Sequence, residues 1–516
     1  MSNNHEISDT TWKSQAGFIW SLIGSAVGFA NILSFSAQVY KNGGGAFLIP
    51  YCMALFMLGI PLLILEGIIG YRMKSPLVSA YGSVWGRAGK TLGWMAVLAC
   101  LSIGGFYIVL TGYSVAYTYF AAVNAIPDDS KGFFIDSFLK TTAGLTDFGQ
   151  FSVPIIFSTL AVVAITWFVM ARNVRDGIER ICSIFMPLLV VIMTSFAIIV
   201  AFLPGGMDGW QYYLKPDFAK LVDPNLWRDI FGQLFFSLSL GLGIVVGYSR
   251  HTGKEINIPK AMMYVAIGDF AVSFISGAAI FGCLAHVSYT QQISFASILT
   301  SDSTFEIGFI VFPQIFKVFG PILGQIIGVI FFFCIFIAGI TGVFSIVESI
   351  AGNVEVEFQT SRKRAVSATI VAMTCVAMFF CMGNASHLID ALVPMVMGTN
   401  MLIGGLALIL IFQYACPTIK NDSVWISGNR LRPYAFCLKY IAPAILGIIL
   451  IGNLSQEFQS FDLEKGVRWT WFIFALVSAC TLTRVAERKA KATASKVNAS
   501  EAYQGNKDLN DTLEMF

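Results

Sequence analysis

Twelve long apolar stretches alternate with shorter polar ones along the 516 residues of this chain. Each stretch approaches or exceeds the roughly 20 residues that an α-helix needs to cross a bilayer. The pattern therefore predicts an all-α integral membrane protein with 12 transmembrane helices. The predicted spans, in chain order, cover residues 13–40, 46–71, 91–124, 151–171, 178–203, 230–249, 261–288, 319–354, 365–382, 388–414, 433–453 and 467–483.

The first span carries flexible and polar residues at its centre, in the run from Gly24 to Asn31. Each glycine in a helix interior costs about 1 kcal/mol relative to alanine. Within a bilayer, unwound backbone is tolerated only where it is buried in protein or lines a cavity. The run predicts a broken helix beside a binding site. The alternative is a glycine-rich face that lets two helices pack closely.

The sixth span repeats this feature between Gly232 and Gly243, where Ser237, Ser239 and Gly241 interrupt the apolar pattern. Spans 1–5 and 6–10 then form two five-helix halves, each beginning with an interrupted helix. This arrangement is typical of inverted-repeat transporters, whose sites lie near the bilayer midplane between the broken helices. The sequence therefore predicts an inverted 5+5 repeat with broken helices 1 and 6.

Two broken helices bring two kinds of backbone group to the middle of the membrane. The N-termini of half-helices present N–H groups and a positive dipole end, which bind a carboxylate. Freed carbonyls, with nearby hydroxyl and amide oxygens, suit a hard cation such as Na⁺ or an ammonium group. A zwitterionic amino acid carried with a cation satisfies both. Asp269, an isolated acid in span 7, is costly at this depth and is therefore a candidate functional residue.

The composition is that of a membrane protein, and the distribution of basic residues among the loops predicts its orientation. Hydrophobic residues make up 56% of the chain and charged residues only 12%, against about 25% charged in soluble domains. Sixteen lysines and arginines lie in the loops on the side of the N-terminus and nine in the opposite loops. The positive-inside rule then places both termini in the cytoplasm. The net charge of +3 reflects this topology and gives no indication of nucleic-acid binding.

The spans divide the chain into three predicted parts. A cytoplasmic N-terminal segment covers residues 1–12, a transporter domain covers 13–483, and a cytoplasmic tail covers 484–516. Within the transporter domain, repeat one covers 13–203, repeat two covers 230–414, and two extra helices lie in 433–483.

Several other function classes lack support in the sequence. The ten cysteines show no metal-ligand spacing, and a phosphate-binding glycine loop followed by Lys and Ser or Thr is absent. We therefore expect neither an enzyme nor an ATP-driven pump. Glu66 in span 2 and Glu348 in span 8 are expected to bond the unwound backbone of spans 6 and 1.

From Trp12 to about residue 483, the chain resembles the neurotransmitter:sodium symporter family, which has the leucine-transporter fold. The similarity rests on a series of motifs in a fixed order. These are Trp12, Gly24-Ser25-Ala26-Val27-Gly28 with Asn31, Asn42-Gly43-Gly44-Gly45-Ala46-Phe47, Ile49-Pro50-Tyr51, Gly59-Ile60-Pro61 with Glu66, Gly177-Ile178-Glu179-Arg180 with Pro187, the segment from Gln233 to Gly243, and Ala338-Gly339-Ile340-Thr341.

The resemblance implies a set of site residues. The substrate would be bound by Ala26, Phe29, Ala30, Ile103, Tyr107, Phe236, Ser237, Ser239, Leu242, Gly342 and Ile346. A first sodium ion would be bound by Ala26, Asn31, Ser237 and Asp269, and a second by Gly24, Val27, Ala338 and Thr341. The groups that surround chloride in animal members correspond to Tyr51, Gln233, Ser237, Asp269 and Ser273.

Three departures from the family pattern change what the resemblance implies for ions and substrate. Asp269 stands where the family usually has Asn, and its carboxylate could supply the negative charge of chloride, so we expect chloride not to be required. Gly342 stands where a hydroxyl usually helps bind the second sodium ion, so one or two sodium ions remain open. Gly28 stands where monoamine carriers have an acid, which favours an amino acid over an amine.

The gates depart from the pattern as well. Ser34 and Val393 replace the Arg and Asp of the usual external ion pair. Asp9 replaces the N-terminal Arg of the inner gate, and either Lys13 or Arg250 is expected to pair with Glu355 instead.

The resulting prediction is sodium-coupled symport of a neutral, apolar or aromatic amino acid by alternating access. The expected location is the bacterial inner (plasma) membrane, with the lipid bilayer and a small amino acid as partners. The alternative is a uniporter or sensor of the same fold without tight sodium coupling. Nothing in the pattern specifies an oligomeric state.

Overall fold

A computed structural model describes residues 11–172, 174–293, 307–422, 431–459 and 461–513 of the chain. Helices account for nearly all of this part. The first half contains α1 (Gln15–Ala26), α2 (Ala30–Lys41), α3 (Gly45–Met73), α4 (Leu77–Ala122), α5 (Val153–Met170), α6 (Asp176–Ala201) and α7 (Gly206–Leu214). The second half contains α8 (Pro224–Ser237), α9 (Ile244–Ser249), α10 (Ile258–Gln291), α11 (Phe312–Val318), α12 (Pro321–Glu357), α13 (Arg362–Phe379), α14 (Ala385–Ala415), α15 (Arg432–Gln459) and α16 (Leu463–Leu513).

These helices account for the 12 predicted spans. Within the described residues, nine helices are individually long and apolar enough to cross a membrane. Span 1 consists of α1 and α2, which meet at a bend of 63°. Span 6 consists of α8 and α9, which are separated by a stretch of turns. Span 9 is α13, whose first three residues are the basic Arg362, Lys363 and Arg364. The prediction of broken helices 1 and 6 is confirmed.

Two helices extend beyond the predicted spans. The cytoplasmic loop predicted between spans 2 and 3 is helical from Leu77, because Leu77, Val78 and Tyr81 bury an apolar face. A break at Trp85 and Gly86, where both residues leave helical geometry, separates this piece from the membrane-spanning part of α4. At the C-terminal end, the backbone of α16 stays helical to Leu513, well beyond the predicted limit of span 12.

The core is a packed bundle around α4 and α12, which form the most extensive helix pair. Helix α1 packs against α12 and α10, and α10 packs in turn against α3 and α6. On the external side, Gly44 has a φ of +64° and lies so close to α7 that a Cβ atom would be 2.6 Å from the Tyr212 carbonyl oxygen. This contact fixes the turn between α2 and α3, which gives the Asn42–Phe47 motif a structural role.

Candidate functional site

The break in span 1 is bridged by one of its own side chains. Helix α1 ends at Ala26, and Val27 adopts an extended conformation with φ −73° and ψ 116°. The Asn31 Oδ1 atom accepts a hydrogen bond of 2.8 Å from the backbone N–H of Gly28. The amide of Asn31 therefore satisfies a backbone donor that the interrupted helix leaves free.

The break in span 6 is held by neighbouring helices. Gly241 and Gly243 have φ values of +78° and +72°, a conformation that glycine adopts without the steric cost of a Cβ atom. The Glu66 Oε1 atom accepts a 2.8 Å hydrogen bond from the Gly241 N–H. Ser349 Oγ donates a 3.2 Å bond to the Leu242 carbonyl. The prediction that Glu66 supports the unwound backbone of span 6 is confirmed.

Where the two breaks face each other, α2, α8 and α10 form a buried polar cluster. Asn31 Nδ2 lies 2.6 Å from Asp269 Oδ1 and 2.9 Å from Ser237 Oγ. Ser237 Oγ lies 2.9 Å from both carboxylate oxygens of Asp269. Ser273 Oγ lies 2.8 Å from Asn31 Nδ2 and donates to the Asp269 carbonyl. The structure thus brings together the side chains predicted for the first sodium site.

The chemistry of this cluster fits a hard cation. The oxygens of Ser237, Ser273 and Asp269 are ligand atoms of the kind that hard cations prefer. Asn31 turns its Nδ2 atom to the cluster and its Oδ1 atom to the Gly28 N–H, so its amide must turn over to offer an oxygen to a cation. Asp269 is fully buried, and within the described residues no Lys, Arg or His forms an ion pair with it. A buried ionised carboxylate is costly without a partner of opposite charge. A small monovalent cation would supply that partner.

The residues predicted around chloride lie at the same cluster. The buried hydroxyl of Tyr51 lies next to Ser237 and Asp269. Gln233 points its amide toward α2, since Nε2 donates to the Ala30 carbonyl at 2.9 Å and Oε1 accepts from Ser34 Oγ at 3.0 Å. Ser34, which replaces the Arg of the usual external gate, therefore has a polar partner on α8.

The Tyr107 hydroxyl lies beside the break in span 1. It is close to the backbone of Phe29, and the rings of Phe29 and Tyr107 meet edge to face with centroids 5.2 Å apart. A Cβ atom on Gly28 would lie well under 3.0 Å from this hydroxyl, and one on Gly342 would lie 2.8 Å from it. Two glycines on different helices thus form a notch that holds the hydroxyl.

A small cavity of about 30 Å³ lies next to this notch. It contains all the predicted substrate-binding residues except Phe29, whose ring packs against Tyr107, and Ser237, which belongs to the polar cluster. Three further lining residues, Ser25, Ile244 and Ser345, were not singled out by the sequence, and only Ser25 lay in a run already recognised as interrupted. Gly28, which also lines the cavity, had been linked to the choice between an amino acid and an amine. The lining residues are Ser25, Ala26, Gly28, Ala30, Ile103, Tyr107, Phe236, Ser239, Leu242, Ile244, Gly342, Ser345 and Ile346.

The residues predicted for a second sodium ion lie where α1 packs against α6 and α12. Thr341 Oγ1 lies 3.0 Å from the Ile337 carbonyl and 3.2 Å from the Ala338 carbonyl. A Cβ atom on Gly24 would lie 3.2 Å from Cys182 Sγ. Val27, the fourth predicted residue, is the C-cap of α1. Gly342 faces Tyr107, so the sequence departure at this position removes a hydroxyl and also makes room for the tyrosine.

A larger cavity of about 680 Å³ lies on the external side, between α8, α14 and α15. Phe236 lines both this cavity and the small inner one. Its side chain therefore lies at the boundary between them. Val393, which replaces the acid of the usual external gate, also lines the outer cavity.

The inner side is closed by an ion-pair network around Glu348. This carboxylate is fully buried and contacts Arg250 at 3.2 Å, His251 at 3.2 Å and Arg362 at 2.8 Å. The expectation that Glu348 bonds the unwound backbone of span 1 is therefore wrong, because three basic side chains surround it. Burial is the largest influence on the His251 imidazole and lowers its pKa below the ordinary value.

Of the two predicted partners for Glu355, the structure places Arg250 there, with 3.5 Å between Arg250 Nη2 and Glu355 Oε2. The Lys13 side chain is exposed and forms no ion pair within the described residues. Asp9 lies outside those residues.

Comparison with known proteins shows which family has this architecture. The sequence model of the "sodium:neurotransmitter symporter family" matches residues 9–130 and 121–489. A sodium-dependent transporter of Methanocaldococcus jannaschii is 31% identical over 85% of this chain and 88% of its own length. The bovine sodium-dependent dopamine transporter is 24% identical over 86% of this chain and 69% of its own length.

A solved structure agrees with these matches. The crystal structure of MhsT in complex with L-phenylalanine superposes with a TM-score of 0.74 and 27% identity, covering 86% of this chain and 99% of MhsT. The protein is thus a multi-pass membrane transporter and not an enzyme, and the chain belongs to the sodium:neurotransmitter symporter family.

Proposed function

We propose that this protein carries a neutral amino acid with an apolar or aromatic side chain into the cell together with sodium, by alternating access. The observation that carries the proposal is the juxtaposition of two sites. In the first site, Asp269 is buried and has no basic partner in the described part of the chain. In the second site, the Tyr107 hydroxyl lies beside the Phe29 backbone.

A zwitterion fits between these sites. Its carboxylate would accept hydrogen bonds from Tyr107 and from the N–H groups at Phe29 and Ala30, at the N-terminus of α2. Its amino group would donate to the freed carbonyls of Ala26, Phe236 and Ser237, the last on the side of the cation cluster. Gly28 leaves no acidic side chain to bind an amine, which supports an amino acid as substrate.

The side-chain compartment supports an apolar substrate. Ile103, Leu242, Ile244 and Ile346 supply most of its apolar wall. A volume of about 30 Å³ is close to that of one water molecule in the liquid, so the compartment must widen to admit a substrate. The phenylalanine bound by MhsT supports a substrate of this class.

We propose one firmly bound sodium ion at Ala26, Asn31, Ser237 and Asp269. A second ion at Gly24, Val27, Ala338 and Thr341 would have a single side-chain oxygen, and its binding would be weaker. Chloride is not required in this proposal, because Asp269 supplies a fixed negative charge beside Tyr51, Gln233 and Ser273. The excess of Lys and Arg in the loops on the N-terminal side supports a cytoplasmic position for both termini, and the proposed location is the plasma membrane.

The test is uptake into proteoliposomes from a mixture of the 20 standard amino acids, driven by an inward sodium gradient. We expect depletion of apolar or aromatic amino acids only, and loss of uptake when potassium replaces sodium. Equilibration of an amino acid across the bilayer at the same rate with and without sodium would indicate a uniporter. Saturable binding without accumulation would indicate a sensor. Either result would refute the proposed coupling.

A further inference from the structure

A buried carboxylate on α6 is bonded to the cytoplasmic end of α1. Glu179 is 5% exposed, and its Oε2 atom accepts a 2.7 Å hydrogen bond from the Lys13 backbone N–H. Its Oε1 atom lies 3.5 Å from Ser14 Oγ. Within the described residues, no basic side chain pairs with this carboxylate. Its partners are thus the backbone and the N-cap of α1.

The geometry of α1 is fitted to this contact. Ser14 caps the helix by accepting a 2.9 Å bond from the Gly17 N–H. A Cβ atom on Gly17 would lie 2.6 Å from Glu179 Cδ, so a residue without a side chain is needed for the carboxylate to approach. A negative charge at a helix N-terminus also interacts favourably with the helix dipole.

Helix α1 is joined to the rest of span 1 only by the unwound residues before Ala30. It can therefore move as a unit, and hydrogen bonds on two sides hold its cytoplasmic end. On one side, Trp12 Nε1 donates a 2.9 Å bond to the Tyr248 carbonyl at the end of α9. On the other side is Glu179, the last residue of the π-helical turn Arg175–Glu179 at the start of α6. Such turns are frequent at functional positions.

We propose that Glu179 is a positioning residue that latches α1 to α6 while the site is closed to the cytoplasm, and that this latch opens when substrate is released inward. The proposal rests on the alternating access proposed above. The carboxylate accepts hydrogen bonds from one backbone N–H and one hydroxyl. It can release both without leaving an unpaired basic side chain behind. The latch therefore contributes to the balance between closed and inward-open states.

A native cysteine reports on this latch. Cys182 is 1% exposed and lies on α6 directly against Gly24 of α1. Movement of α1 away from α6 would uncover Cys182 from the cytoplasmic side. Cys283, which is fully buried in α10, is the internal control for general loosening of the fold.

The experiment compares wild type, Glu179→Gln and Glu255→Gln in inside-out vesicles. Glu255 is an exposed acid on the same side, so Glu255→Gln is the matched change. A membrane-impermeant maleimide is added, and labelling of Cys182 and Cys283 is quantified by peptide mass spectrometry. We expect Glu179→Gln to speed labelling of Cys182 about tenfold, the effect of weakening one charge-assisted hydrogen bond. Labelling of Cys283 in Glu179→Gln should match wild type. Labelling of both cysteines in Glu255→Gln should also match wild type.

An unchanged rate at Cys182 would overturn the latch, and so would an equal rise at Cys283. A second arm tests the contact itself. Gly17→Ala should raise labelling of Cys182 in the wild-type background but add little to Glu179→Ala, because the clashing carboxylate is already gone. Additive effects would contradict a direct contact.

Transport kinetics separate this proposal from the proposed function. In proteoliposomes, Glu179→Gln should raise the KM for external substrate more than it lowers kcat, because fewer molecules wait in the outward-facing state. A kcat loss with unchanged KM would argue against the latch. Absence of sodium-driven uptake in wild type would refute the proposed function, whereas the labelling comparison would still decide the role of Glu179.

Discussion

The notch around the Tyr107 hydroxyl allows a quantitative prediction for Gly28→Ala. A Cβ atom on Gly28 would lie well under 3.0 Å from the hydroxyl oxygen but 3.4 Å from the ring carbon Cζ. The φ of Gly28 is outside the positive range, so alanine meets no backbone strain and the cost is steric. The hydroxyl has little room to retreat, because a Cβ position on Gly342 is only 2.8 Å away on the other side.

Overpacking of this kind costs about 1–3 kcal/mol. If the clash displaces the hydroxyl from the Phe29 backbone, substrate affinity should fall by about 5- to 150-fold, since each 1.4 kcal/mol is a factor of ten. Tyr107→Phe removes the clashing oxygen and leaves Cζ at ordinary contact distance. Gly28→Ala should therefore cost much less in the Tyr107→Phe background than in wild type.

The assay is equilibrium binding of the identified amino acid to purified protein, with thermal unfolding measured in parallel. Gly247→Ala is the matched control. Gly247 is also a buried glycine in a broken span, but the nearest atom to its Cβ position is 3.9 Å away, at Ser349. Affinity should be unchanged in this variant. Equal losses from Gly28→Ala in both backgrounds would refute the steric argument, as would wild-type affinity in the single variant.

Three further predictions concern ions, the second glycine of the notch and pH. Asp269→Asn should raise the sodium concentration needed for half-maximal uptake by about tenfold or more and make uptake either chloride-dependent or absent. Wild-type uptake that vanishes when gluconate replaces chloride would contradict the role of Asp269 as a substitute for chloride. Gly342→Ser should weaken substrate binding in titrations, because its Cβ meets Tyr107 at 2.8 Å, even though it restores a hydroxyl near Thr341; tighter sodium binding with unchanged substrate affinity would oppose it. Because burial lowers the pKa of His251, its stabilisation of the inner face should be complete above the ordinary value of about 6.5 and decrease as pH falls below it; thermal unfolding of wild type and His251→Asn across pH 5–8 should show a steeper acid loss for wild type.

Hydrophobic pattern and glycine placement were enough to predict the architecture. The 12 spans follow from their length and apolar character, because the bilayer requires about 20 apolar residues in each helix. The two breaks follow from Gly24–Asn31 and Gly232–Gly243, where flexible and polar residues occur at membrane depth. The helical loop at Leu77 was missed, since its short apolar face is weak beside the adjacent spans.

The site was only partly accessible from the sequence. Asp269 and Tyr107 were candidates from the sequence and the family resemblance, whereas Ile244 and Ser345 lie on helices whose inward faces no local pattern specifies. The expectation for Glu348 failed for a related reason. Two of its three basic partners, Arg250 and His251, are 98 and 97 residues away, and such pairing depends on how the helices pack.

The sequence alone determined that this is a membrane transporter with two interrupted helices. A helix that crosses lipid must be long and apolar, and unwound backbone is costly there unless it is buried in protein or lines a cavity. Only the tertiary structure decided which polar groups meet. It placed Asn31, Ser237 and Asp269 within hydrogen-bonding distance, set Gly28 and Gly342 around one hydroxyl, and put Glu179 at the end of α1. The physical reason is that these contacts join helices far apart in sequence, and their geometry is set by close packing of the whole bundle.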